Sequence, residues 1–87
     1  MNRSIEELLT QIEHARRFGV IEQVRTSSDT FISVLTLEKK VAHKIQFEAA
    51  TLMSKPVMEK LKTYISSFAN VLYVNATHTT ITITYTT

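Results

Sequence analysis

From Ile5 onward the apolar positions fall three and four residues apart: Ile5, Leu8, Leu9, Ile12 and Ala15. That is the period of one helix face. Both ends of the helix are signalled locally. Ser4-Ile5-Glu6-Glu7 has the spacing of a capping box, in which hydroxyl and carboxylate satisfy free N–H groups. Arg16 and Arg17 place positive charge in the last turn, where the helix dipole favours it, and Gly19 can take the left-handed stop. A first helix over residues 5 to 18 is predicted.

Past Gly19 the period drops to two. VIEQVRT, residues 20 to 26, reads as a strand, and Ser27-Ser28-Asp29 as a turn. In DTFISVLTLE, Phe31, Ser33, Leu35 and Leu37 point one way and Ile32, Val34 and Thr36 the other. With both sides this apolar, a central strand is expected. Glu38-Lys39-Lys40 reads as the next turn. VAHKIQFE then sets Val41, His43, Ile45 and Phe47 on one face, completing a three-stranded meander.

A second helix starts at Ser54 as N-cap, with Pro56 in the first turn, where its missing N–H costs nothing. Val57, Leu61, Tyr64, Ile65 and Phe68 form its stripe, with Met58 beside it, and Asn70 suits a left-handed end. NVLYVN and TTITITYT make two more strands, joined around Ala76-Thr77-His78. The expected fold class is α+β with element order α-β-β-β-α-β-β, a single compact domain over residues 1–87. Each helix has one apolar stripe, so both are expected on one face of a mainly antiparallel sheet.

The first five predicted elements follow the order of a double-stranded RNA-binding domain. The likeness is one of order alone. Such domains reach phosphates through a strongly basic start to the second helix. Here that region offers Lys55, with Lys60 and Lys62 farther along and Glu59 between. The single glycine, Gly19, lies outside any strand loop, and two further strands follow.

Composition narrows the chemistry. A hydrophobic share of 44% over 87 residues argues for one packed core rather than disorder. The chain has no cysteine, which removes disulfides and thiolate metal sites and leaves stability to the core or to a partner chain. No apolar window reaches the length of a membrane span, and the first residues lack the pattern of a secretory signal. A cytoplasmic protein without a membrane partner is the expectation. His14, His43 and His78 show no ligand spacing, no serine sits in a glycine-framed elbow, and no glycine-rich loop could hold a phosphate. Neither catalysis, nor a cofactor, nor a metal, nor a small-molecule substrate is expected.

Two features remain for function. After Lys62 no Asp, Glu, Lys or Arg occurs, and the final strand puts Ile81, Ile83 and Tyr85 on one side and Thr80, Thr82, Thr84 and Thr86 on the other. It lacks the lysine, inward charge or proline that usually protects a sheet edge. Either it lies inside the sheet or its edge is used, by a second copy in a homodimer or by another macromolecule. The four threonines are therefore the candidate protein interface. The second feature is the set Arg16, Arg17, Arg25, Lys39, Lys40 and Lys44, candidate nucleic-acid contacts if one face gathers them. A net charge of +2, with acidic residues mixed through the same regions, ranks that alternative second. The expected function is a small non-catalytic protein-interaction, regulatory or inhibitor protein.

Overall fold

The computed structural model describes residues 3–86. Its elements are α1 (Ile5–Arg17), β1 (Ile21–Ile32), β2 (Lys39–Ala49), α2 (Lys55–Ser66), β3 (Val71–Ala76) and β4 (Thr80–Thr86). The strands form one antiparallel sheet in the order β1-β2-β4-β3. Both helices start where local chemistry provides an acceptor. Ser4 accepts from the Glu7 N–H, and Ser54 accepts from the Val57 N–H with Pro56 in the first turn. Gly19 at φ +74° and Asn70 at φ +70° take the left-handed conformation after their helices.

Alternation along the strands decides what each face becomes. Ile45 and Phe47 of β2, Ile81 and Ile83 of β4, Val74 of β3 and Ile21 of β1 are buried and share one core with Ile5, Leu8 and Ile12 of α1, Ile65 of α2, and Phe68 beyond it. The two helices thus lie on one face of the sheet, as their single stripes require. Ile81, Ile83 and Tyr85 turn inward with them, Tyr85 half-buried. The stripe of α2 is only partly covered: Leu61 is half-buried, while Val57 and Tyr64 reach solvent.

The predicted meander of three strands is corrected to a hairpin of two. Ser27, Ser28 and Asp29 do not turn; they run within a 12-residue β1, opposite Lys44, His43 and Ala42. A polar run of this kind remains strand because no helix covers it, so nothing penalises hydroxyls there, and Ser28 Oγ lies 2.8 Å from His43 Nδ1. The reversal falls instead at residues 33–38. There the Leu37 N–H donates to the Ser33 carbonyl at 2.7 Å, the Ser33 N–H donates to the Glu38 carbonyl at 2.9 Å, and Leu37 takes φ +57°. Lys39 and Lys40, assigned to a turn from the sequence, open β2. The observed order is α-β-β-α-β-β, which also ends the parallel with the order of a double-stranded RNA-binding domain.

Candidate functional site

β4 lies between β2 and β3, with Ile83 facing Ile45 on one side and Val74 on the other. Its main-chain edges are both used within the chain, so no partner can add a strand to it. The absent edge defences are explained: the edges belong to β1 and β3. Each of those carries a register shift, between Glu22 and Arg25 in β1 and between Val71 and Tyr73 in β3. Bulges of this sort blunt an edge against pairing.

Thr80, Thr82, Thr84 and Thr86 form a half-buried rank in the middle of the sheet face that the helices leave open. Across the strands this face reads in rows. Ser27, Lys44, Thr84 and Tyr73 make one, and Arg25, Gln46, Thr82 and Asn75 the next. Tyr73 is well exposed.

The six basic candidates are not brought together. Arg25, Lys40 and Lys44 share the open face, along with Glu22, Asp29 and Glu48. Lys39 pairs with Ile32 on the opposite side of the hairpin. Arg16 and Arg17 sit at the end of α1, where both engage Glu13: Arg16 Nε donates to its carboxylate at 3.0 Å, and Arg17 Nε lies 3.5 Å away. The hydrogen bond from Arg16 holds the Glu13 carboxyl below its ordinary range and raises the Arg16 guanidinium in return. Two of the six cations are thus partly neutralised at home. The open face thus carries three cations and three carboxylates, with Glu22 and Glu48 paired in one row.

The histidines are similarly scattered. His43 stacks at 5.3 Å on Tyr85 besides meeting Ser28, and His78 Nδ1 lies 2.8 Å from the Met53 carbonyl oxygen. No three His, Asp or Glu side chains among the described residues are placed to hold a metal. No helix among them is long and apolar enough to cross a membrane.

The feature that sequence patterning placed wrongly is the most exposed one. β4 pairs with β2 from Glu48 to Ala42, and beyond that row β1 and β2 continue as a two-stranded arm. Phe31, Ile32, Val34, Leu35, Leu37 and Val41 lie on it, with Val34 87% and Leu35 92% exposed. Phe31 to Leu37 carry the segment expected as a central strand because both of its sides are apolar, and Val41 the strand expected after it. Among the described residues, each strand of the arm has one neighbouring strand and no helix lies over either side. The signal that could have located it is a count: two short helices, each needed over the body of the sheet, leave nothing to cover a ribbon this long.

At the other end of the molecule the helix layer opens. Tyr64 spans between α1 and α2, its hydroxyl donating to Gln11 Oε1 at 2.8 Å and accepting from Arg3 at 3.0 Å. Between them lies an apolar cleft of about 350 Å³. Phe47 and Ile81 of the sheet floor it, and Ala15, Val20, Val57 and Leu61 line its walls, with Val20 and Val57 well exposed. Its lining carries no charged side chain. In comparison with protein-family models, curated proteins and solved structures, the chain matches none.

Proposed function

We propose that this chain is a non-catalytic interaction protein, of the regulator or inhibitor kind, that docks on protein through its apolar hairpin arm. The observation that carries this reading is the exposure of Phe31, Ile32, Val34, Leu35, Leu37 and Val41 together at the end of one ribbon. Val34, Leu35 and Leu37 are adjacent at the tip and each more than three-quarters exposed, a contiguous apolar surface of the kind that marks interaction sites on soluble proteins. Leaving such a patch in water is costly, and protein interfaces are where it is relieved. The threonine rank and the helix layer make the rigid frame from which the arm projects.

A photo-crosslinking residue at position 35 tests the reading in cells, with Thr63 on the outer surface of α2 as the control position. The expected result is a discrete adduct of defined mass from position 35 only, lost when Val34→Lys is added to the same chain. No adduct from position 35, or the same adduct from position 63, would count against the arm as the docking element.

One observation favours a second reading, a nucleic-acid-binding accessory protein. Tyr73 is exposed on the open face in the row that holds Lys44, with Arg25 one row away. Lys44 lies two strands from Tyr73 and Arg25 three, so an aromatic side chain and cations share one face, the combination that single-stranded nucleic acid stacks on and tracks along. Binding that weakens as salt rises and is lost in a Tyr73→Ala, Arg25→Ala double variant would establish it.

A further inference from the structure

We infer that the arm's partner is a second copy of this chain, and that the arm of each copy covers the helix cleft of the other. This rests on the reading of the arm as a docking element and adds its occupant.

Three observations point to self-pairing. The first is chemical. The tip, Ser33-Val34-Leu35-Thr36-Leu37, carries no charge, and neither does the lining of the cleft. Each is the surface the other needs, and a cleft of about 350 Å³ lies within the range that apolar groups fill in binding sites.

The second is distance. Val20, Ile21 and Ala49 border the cleft, and Ile21 pairs with Ala49 at the end of the β1–β2 ladder opposite to the Ile32–Lys39 pair that precedes the tip. Eleven residue steps along β1 separate those two rows, roughly 36 Å at strand rise. The molecule is 42 Å long and 22 Å across, so this separation takes up most of its long axis. A chain cannot fold its own arm back into its own cleft without dismantling the ladder. Any arm-to-cleft contact is between copies.

The third is area and symmetry. The helix layer covers only the body, so the molecule is stepped: a thick end bearing the cleft and a thin end bearing the arm. Two copies related by a two-fold axis place thin end against thick end twice, and both contacts close together. Each chain buries its arm and its cleft together, and the sum of the two is what has to reach the roughly 800 Å² a side of a standard stable interface.

The absence of cysteine makes the test clean. Chains carrying Leu35→Cys and chains carrying Val57→Cys are prepared separately, mixed and oxidised. The expected product is a mixed disulfide between the two variants, with neither variant cross-linking to itself. In sedimentation equilibrium the wild type should show a monomer–dimer equilibrium, and Leu35→Lys should raise the dimer dissociation constant about a hundredfold. Leu35 is already exposed in the single chain, so that variant folds as the wild type does.

A chain that stays monomeric to millimolar concentration overturns the inference. So does a dimer in which Leu35→Cys cross-links to itself, since the tips would then meet each other, and so does growth into open polymers. If the protein is monomeric but the position-35 adduct with another protein persists, the arm still docks and only the self-pairing is lost. If both fail, the docking role of the arm fails as well.

Discussion

Two stretches of this chain look alike on paper and end in opposite environments. TTITITYT and DTFISVLTLE both mix threonine or serine with large apolar residues, and both read as strand. In the first, Ile83 has no exposed surface, with strands on either side and the helix layer above. In the second, Leu35 is 92% exposed, beside one strand at most and under no helix. Side-chain hydrophobicity states what would be stabilised by burial; it does not state which element arrives to bury it. The less polar of the two segments is the one left in water.

The largest expected effect lies at the buried end of that comparison. Ile83→Ala removes methyl groups from a site walled by the Ile45 and Val74 strands, where little can collapse inward. It should cost about 3–4 kcal/mol by the transfer and cavity terms together. Urea unfolding followed by circular dichroism would measure it, and a loss under 1 kcal/mol would mean that β4 is not the centre of the core.

Leu61 comes next and sharpens the picture of the open cleft. A central position on α2 would make Leu61→Ala cost about 2–4 kcal/mol, but Leu61 is half-buried on the wall of the cleft. Water already reaches the space that truncation would enlarge, so about 1–2 kcal/mol is expected in the dilute protein. A penalty as large as that of Ile83→Ala would show that the cleft is closed in solution, which is what a partner's arm over it would produce. Repeating the measurement at high concentration separates the two.

How much of this was legible in the sequence follows from how local each cause is. The helix ends were readable because Ser4, Ser54, Pro56 and Gly19 act within one turn of themselves. The inward set Ile81, Ile83 and Tyr85 was readable because a strand's facing is fixed by alternation once one side is buried. The strand count was not. Ser27-Ser28-Asp29 has turn chemistry, and only the absence of a helix above it makes an extended ribbon tolerable. The true turn, centred on Val34-Leu35-Thr36, holds no glycine, proline or asparagine and puts Leu37 at φ +57°, a conformation that leucine seldom adopts. The placing of the threonine rank was half legible. The threonine rank was placed on the correct face, but its backbone edges are used by β2 and β3, information that belongs to topology rather than to residues. The six basic residues illustrate the same limit, since register alone separates Lys39 from Lys40 and sends them to opposite sides of the ribbon.

The smallest effect on the folded chain is expected at the tip of the arm, and its smallness is informative. Leu35→Ala and Leu35→Lys remove or replace a side chain that buries almost nothing in the single molecule, so unfolding in the dilute regime should change by no more than about 0.5 kcal/mol. Hydrogen exchange should agree: amides of β4 bonded to β2 and β3 exchange slowly at every concentration, while those of residues 30–32 and 39–41 exchange fast when dilute, because a two-stranded ribbon with no covering layer opens easily. Concentration then becomes the deciding variable. Association stabilises only the folded form, so the wild-type melting temperature should climb as the protein is concentrated and the arm amides should slow with it. In Leu35→Lys the melting temperature should stay flat, since a lysine has no place in an uncharged cleft. Equal concentration dependence in both proteins would place the self-association somewhere other than the arm, and slow arm amides in the dilute wild type would mean that the ribbon is sheltered within its own chain.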